Sequence, residues 1–164
     1  MCGSRCRKGF TFVEILISIV LVGLSITALV FATTNLTTAN SAGSNLSTAE
    51  FLVEQIREMT TLLPVLDPQT EDATFGAEAG ENTVTDYDDI DDFNGLTFSP
   101  PIDANGGTLN ALAPFTQTVA VTNVQQSDFT ATAGPHTTNF VRITVRVLLN
   151  GAEISSASWI RANY

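Results

Sequence analysis

Apolar residues fill the chain from Phe10 to Ala32, and this run carries a single charge, at Glu14. As a helix that rises about 1.5 Å per residue, the run is long enough to cross a bilayer core of roughly 30 Å. A secretory signal peptide has a shorter apolar region that ends at a small-residue cleavage site, and no such site follows here. The pattern therefore predicts a membrane-spanning helix.

Beyond Ala32 the apolar and small residues recur at steps of three or four, which predicts that the helix continues with one apolar face. These positions are Leu36, Ala39, Gly43, Leu46, Ala49 or Glu50, Val53, Ile56, Met59 and Leu63. Pro64 then ends the helix. Because residues 33–47 are polar and have modest helix propensity, a flexible linker over that stretch is the alternative interpretation.

The second half of the chain has the period of two that is typical of strands. Phe140–Leu148 is predicted to turn Val141, Ile143, Val145 and Val147 to one face, and Thr118–Val124 alternates at its start. Asn150-Gly151 predicts a two-residue hairpin turn, so Ala152–Ala162 returns as the partner strand. Its expected core residues are Ile154, Trp159 and Ile160, with one of the last two free to face outward.

With a further strand around Leu96–Phe98, these segments predict an α+β fold, in which a long N-terminal helix packs on a C-terminal antiparallel β-sheet. Pro64–Thr85 contains two prolines, two glycines and acidic residues without periodicity, and is predicted to be a surface loop.

The stretch D-Y-D-D-I-D-D-F-N-G-L, Asp86–Leu96, is strongly acidic. Tyr87, Ile90 and Phe93 recur every three residues, which predicts one helical or 3₁₀ turn that buries them while its aspartates (Asp88, Asp89, Asp91 and Asp92) face solvent. The aspartates of Asp86–Asp92 repel one another unless a cation or hydrogen-bond donors intervene, so calcium is one interpretation and a purely structural acidic turn is the other. The spacing does not match an EF-hand, and no other cofactor is expected.

Charge and composition argue against a nucleic-acid partner and against catalysis. Both cysteines and three of the seven basic residues lie in positions 1–9, so the other 155 residues carry four basic and 17 acidic residues, a formal charge of −13. Such a charge repels nucleic acid. His136 lies in a turn-like stretch and is expected at the surface, and no nucleophile, zinc or phosphate-loop motif occurs, so an enzyme is not expected.

The stretch K-G-F-T-F-V-E, which starts at Lys8, resembles the class III leader of type IV pilins and of the pseudopilins of type II secretion. The resemblance implies that a prepilin peptidase cuts after Gly9, that Phe10 becomes the N-methylated first mature residue, and that Glu14 is the fifth. In that family the glutamate pairs with the charged N-terminal amine of its own or a neighbouring subunit. Because either charge is costly when unpaired in an apolar setting, the pair would set the register of assembly. The alternative is a glutamate that reaches the lipid headgroups.

These patterns and the resemblance together imply four segments: a leader at 1–9, a transmembrane and filament-core helix at 10–33, the amphipathic second half of the helix at 34–63, and a globular head at 64–164. The basic leader predicts an N-terminus in the cytoplasm. The resemblance implies a single-pass precursor in the bacterial inner membrane and then a periplasmic or extracellular filament. The implied partners are other pilin subunits, the prepilin peptidase and methyltransferase, and the inner-membrane assembly platform.

Two further features favour a minor pilin or pseudopilin. Major type IV pilins commonly have a proline at the twenty-second mature position, where this chain has Phe31. The element D-D-x-D-D-F-x-G, from Asp88 to Gly95, is similar to one in D-type minor pilins of mannose-sensitive haemagglutinin pili. The alternatives are a major pilin and a single-pass membrane-anchored extracytoplasmic binding domain.

Overall fold

The computed structural model describes residues 9–66, 68 and 75–163. One long apolar helix near the N-terminus and a five-stranded antiparallel sheet form the predicted α+β arrangement. The elements are helix α1 (Phe12–Thr61), a 3₁₀ turn (Asp91–Phe93), β1 (Thr97–Phe98), a second 3₁₀ turn (Asn110–Leu112), β2 (Phe115–Gln125), β3 (Asp128–Thr132), β4 (Phe140–Leu149) and β5 (Ala152–Ala162).

Helix α1 is continuous through residues 33–47, so the linker interpretation of that stretch is wrong. The threonine hydroxyls of this stretch are satisfied within the helix, because they donate hydrogen bonds to carbonyls three or four residues earlier. These threonines are Thr33, Thr34, Thr37 and Thr38.

The chain divides after Ser44 into two compact units. In the second unit, the last turns of α1 bury Ala49, Leu52, Val53 and Ile56 in the core that these turns share with the sheet. The packed face therefore begins later than predicted, since Leu36, Ala39, Gly43 and Leu46 are all exposed.

The sheet has the order β1-β2-β4-β5, and β3 pairs with the far end of β2. The predicted alternation in β4 is confirmed, because Val141, Ile143, Val145 and Val147 are all buried. Asn150 and Gly151 both have positive φ, at 50° and 83°, as a two-residue turn between twisted strands requires. The short exposed strand β3 was not predicted.

Strand β5 holds the end of α1 in place. Trp159 packs against the core with Ile154, while Ile160 is not part of the core cluster. The Arg57 guanidinium stacks 4.8 Å from the centre of the Trp159 ring. Arg161 donates hydrogen bonds to carbonyls at the end of α1 and just beyond it, those of Thr60, Thr61 and Leu63. A cation there also interacts favourably with the helix dipole.

Candidate functional site

The first part of α1 has a continuous apolar surface. Within the described residues, α1 is the one helix that is long and apolar enough to cross a membrane, and its most hydropathic window has no buried residue. The side chains of this window include those of Ile15, Ile19, Val22, Leu29 and Phe31, all about half or more exposed. Exposed apolar patches of this extent mark a surface that lipid or another protein covers.

Glu14 lies in the first turn of α1 and forms a reciprocal cap with Thr11. Its Oε2 accepts hydrogen bonds from the Thr11 backbone amide at 2.8 Å and from the Thr11 hydroxyl at 2.9 Å. The Glu14 amide in turn donates to the Thr11 hydroxyl at 3.3 Å. This is a capping box, which satisfies backbone amides at a helix start.

Sequence reasoning missed the cap, although the signal was present as T-x-x-E from Thr11 to Glu14. The structure adds a structural role for Glu14 to the predicted role in assembly, and both hydrogen bonds that its carboxylate accepts within the described residues use Oε2. Gly9 and Phe10 lie outside the helix and are exposed, so the peptide bond between them is accessible. The basic residues that precede them lie outside the described residues.

The membrane-length part of α1 contains small residues, and their hydroxyl groups form hydrogen bonds within the helix. The hydroxyls of Ser18, Ser25 and Thr27 donate to the carbonyls four residues earlier. A Cβ atom added to Gly23 would have no neighbour within 4 Å. This surface therefore combines small side chains with satisfied hydroxyls, which permits close approach of another helix.

The acidic turn of the second unit differs from the prediction. The 3₁₀ turn at Asp91–Phe93 does bury Ile90 and Phe93, and Tyr87 packs on the Phe93 ring at 5.3 Å between centroids. However, Asp89, Asp91 and Asp92 are each only 1% exposed. The expectation that these three face solvent is therefore wrong.

The reason for this burial is that each buried aspartate uses one oxygen to bind backbone amides. Asp89 Oδ1 accepts from the amides of Asp91 and Asp92, and Asp92 Oδ2 accepts from those of Asp88 and Asp89. Asp91 Oδ1 accepts from the Gly76 amide at 2.9 Å. The carboxylates therefore fold inward to cap their own turn and to hold the preceding loop, a local bonding pattern that aspartates favour.

The second oxygen of each of these carboxylates is buried without a donor. Asp89 Oδ2, Asp91 Oδ2 and Asp92 Oδ1 have no hydrogen-bond partner among the described residues. One oxygen from each residue lies within 4.8 Å of one oxygen from each of the others. Because buried polar atoms are nearly always paired in proteins, this arrangement calls for a ligand or for protons.

Two glutamates of the preceding loop extend the group. Glu78, Glu81 and Asp92 also bring carboxylate oxygens within 4.8 Å of one another, so the two groups share Asp92. Glu81 Oε2 accepts from the Glu78 amide, and Glu78 Oε1 is buried without a partner among the described residues. Sequence reasoning missed both glutamates because their stretch has no periodicity. The five residues Glu78, Glu81, Asp89, Asp91 and Asp92 are called the carboxylate cluster below.

His136 is not the surface residue that was predicted. Its side chain is 14% exposed, and its Nε2 lies 3.1 Å from Asp91 Oδ2, although the ring N–H does not point along a hydrogen bond. Asn123 of β2 positions the loop, because its Oδ1 accepts from the His136 amide and its Nδ2 donates to the Thr138 carbonyl. The Phe75 ring packs edge-on against the imidazole.

The surroundings of the cluster raise the pKa values of its carboxyl groups and so oppose their full ionisation. Burial, then the charges of Asp91 and Asp92, raise the pKa of Asp89 to about 8. Burial raises the pKa of Asp92 to about 6 and, with a hydrogen bond to Glu81, that of Glu78 to about 7. Burial also raises the pKa of Asp91, partly offset by the Gly76 amide and His136. In the protein alone, burial therefore raises the pKa of each of these carboxyl groups above its usual value.

Comparison with known proteins gives one finding. A family model described as the prokaryotic N-terminal methylation motif matches residues 4–30. No curated protein and no solved structure matches the chain significantly. The motif indicates a type IV pilin-like protein that is processed by a prepilin peptidase, and it fits inner-membrane anchoring of a precursor before assembly with other pilins. Proteins of this class are structural.

Proposed function

We propose that this chain is a minor pilin or pseudopilin, a structural subunit of a type IV pilus or of a type II secretion-like filament. The observation that carries the proposal is the methylation motif at residues 4–30, followed directly by an exposed apolar helix. The peptidase would cut between Gly9 and Phe10, and Phe10 would carry the N-methyl group. The predicted orientation leaves the leader in the cytoplasm and exports the head.

The exposed surface of α1 supports a subunit that changes its surroundings. Before assembly, lipid covers the apolar side chains between Phe12 and Phe31. After extraction from the membrane, the same side chains need equivalent apolar cover, and the helices of other subunits supply it. Gly23 and the internally bonded Ser18, Ser25 and Thr27 let those helices approach closely.

Glu14 supplies the register of that packing. The Thr11 cap uses Oε2, and Oε1 accepts the amine of a mature N-terminus without breaking the cap. In an apolar filament core, an unpaired carboxylate is costly and a paired one is not. A subunit is therefore held at the axial position where the amine meets Glu14.

The minor role rests on the middle of α1. The helix runs through Phe31 without a break, and no proline precedes Pro64. The similarity of the acidic element to D-type minor pilins of mannose-sensitive haemagglutinin pili points the same way. In a minor subunit, such a head primes, caps or decorates the filament, including in a fimbrial adhesive role.

Mass spectrometry of the protein purified from its native host tests the proposal. The expected intact mass is that of a chain that begins at Phe10 with one added methyl group. A chain that retains residues 1–9 would overturn the filament assignment and leave a membrane-anchored binding domain.

Two further experiments separate the subunit types. Sheared surface filaments that consist of this chain alone would identify a major pilin and refute the minor role. Deletion of the gene distinguishes the two filament systems, because loss of surface fibres indicates a pilus, whereas loss of exoprotein release with intact fibres indicates a type II secretion pseudopilin.

A further inference from the structure

We propose that the head binds a calcium ion through the carboxylate cluster, with Asp92 at the centre of the site. Asp92 belongs to both groups of converging oxygens, the one with Asp89 and Asp91 and the one with Glu78 and Glu81. This proposal goes beyond the filament role and stands or falls separately from it.

The charge of the cluster lacks a protein counterion. Each arginine in the described part of the chain is engaged elsewhere: Arg57 with Glu54, Arg142 with the carbonyls of β3, Arg146 with Glu153, and Arg161 with the end of α1. His136 supplies at most one positive charge, at Asp91. Five carboxylates with one imidazole leave an excess of negative charge inside the fold, and a divalent cation reduces it without added bulk.

The distances fit a cation of this size. Calcium–oxygen bonds are about 2.3–2.6 Å long, so two oxygens bound to one ion lie at most about 5 Å apart. Both groups of oxygens in the cluster meet this limit, at 4.8 Å or less. In addition, Asp89, Asp91 and Asp92 are almost fully buried, and each has one oxygen without a hydrogen bond among the described residues, although that of Asp91 lies 3.1 Å from His136 Nε2. These unpartnered oxygens are the observation that distinguishes the cluster from an ordinary acidic surface.

The ligand set favours calcium over other divalent ions. All five groups are carboxylates, which suit a hard cation that takes six to eight oxygens with flexible geometry. Magnesium requires near-ideal octahedral geometry and keeps most of its water, which a buried cluster does not accommodate. Zinc prefers nitrogen and sulfur ligands, and the cluster offers a single imidazole beside Asp91.

The ion would join two segments directly and reach a third through Asp91. Glu78 and Glu81 belong to the loop after α1, Asp89, Asp91 and Asp92 to the acidic turn, and His136, which lies beside Asp91, to the loop between β3 and β4. A cation shared among the carboxylates of the first two segments would hold residues 75–81 to the turn.

The test is thermal unfolding of the full-length chain in detergent micelles, with 1 mM Ca²⁺ or with a chelator at equal ionic strength. A ligand that binds only the folded protein at about 100 times its Kd raises the midpoint of unfolding, and for a head of this size we expect a rise of about 5 °C or more. An unchanged midpoint would overturn the proposal.

Matched variants test whether the carboxylate cluster is the calcium site. Asp92→Asn is expected to abolish the Ca²⁺-dependent rise and, because it removes a buried charge, to unfold at a higher temperature than the unaltered chain in chelator. Asp86→Asn is the control, since Asp86 is exposed and bonds only to Thr83 among the described residues. It is expected to keep the full rise.

Two results would refute the site even if Ca²⁺ stabilises the head. An equal rise with 1 mM Mg²⁺, or an equal loss in Asp86→Asn and Asp92→Asn, would show general screening of an acidic protein. Neither result would affect the processing of the leader, so failure of the calcium site and failure of the filament role remain distinguishable.

Discussion

Glu14 and the carboxylate cluster both place acidic groups where a bare charge is unfavourable, and the protein treats them differently. Glu14 is exposed on an apolar helix and receives two hydrogen bonds from Thr11, three residues away. The cluster joins two half-buried glutamates to three buried aspartates, and among the described residues it leaves an oxygen on each of four members without a hydrogen bond. A local cap makes one charge tolerable, whereas the other set calls for an external partner.

The difference separates the two roles that we propose for these carboxylates. The Thr11 cap uses one oxygen of Glu14, and we propose that its charge pairs with the amine of another subunit. We propose that the cluster instead binds a metal ion within its own head. Both proposed partners are cations.

The largest expected effect comes from two variants that distinguish the charge of Glu14 from its capping role. Glu14→Gln keeps an oxygen that accepts from Thr11 but removes the charge, and Glu14→Ala removes both. Because we assign register to the charge pair, both variants should enter filaments at least about tenfold less than the native chain, a difference of roughly 1.4 kcal/mol. Quantitative immunoblotting of sheared filaments measures this. Normal incorporation of Glu14→Gln would show that the cap, and not the charge, is what matters.

A second effect is pH dependence in the absence of metal. The pKa values of Asp89, Asp92 and Glu78 are raised to about 8, 6 and 7 in the folded protein. Groups with raised pKa values favour the folded state at low pH and lose that contribution as pH rises through the folded values. In chelator, the free energy of unfolding should therefore fall by several kcal/mol between pH 5 and pH 8.

The other titratable groups around the cluster affect the interpretation of this pH experiment. Asp91, Glu81, Tyr87 and His136 also face it, and burial raises the pKa of Asp91 as well, which adds to the fall. With saturating Ca²⁺ the fall should disappear or reverse, because the metal competes with protons for the same oxygens. Stability that rises with pH in chelator would contradict the assignment.

A third and smaller effect concerns Asp89 alone. Asp89→Asn keeps the Oδ1 acceptor for the amides of Asp91 and Asp92 and removes a charge with a strongly raised pKa. In chelator at pH 7.5, we expect this variant to be more stable than the native chain by about 1–3 kcal/mol. Chemical denaturation measures the change. A loss of stability would mean that the Asp89 charge is already compensated within the protein.

The smallest effect is at the cap. Thr11→Ala removes the hydroxyl that pairs with Glu14, which typically costs about 1 kcal/mol at a helix start, whereas Thr11→Ser retains it. Amide hydrogen exchange at the first turn of α1, measured in micelles, should be about five times faster in Thr11→Ala. Equal exchange in the two variants would show that the capping box contributes little.

Much of the fold could be predicted because its signals are local. The apolar run, the period of two in β4 and the Asn150-Gly151 turn each act within a few residues, and the corresponding elements are confirmed. The late start of the packed helix face, at Ala49, and the strand β3 were not predicted. Both depend on which surfaces the folded head leaves exposed, and residue spacing carries little information about that.

The carboxylate cluster shows the same limit more sharply. Spacing correctly placed Ile90 and Phe93 inside, and the usual exposure of aspartate then placed Asp89, Asp91 and Asp92 outside. Their burial follows from backbone amides that donate hydrogen bonds to them, including that of Gly76, and from a histidine 45 residues after Asp91. Contacts at such separation leave no periodic signal in the chain.

Arg161 has a consequence for the order of events during synthesis. Its guanidinium reaches the carbonyls of residues 60, 61 and 63, about 100 residues earlier. Closing a contact of such length waits until β5 has been synthesised. The helix end is therefore secured late, so the head is completed only after the whole of α1 has left the ribosome.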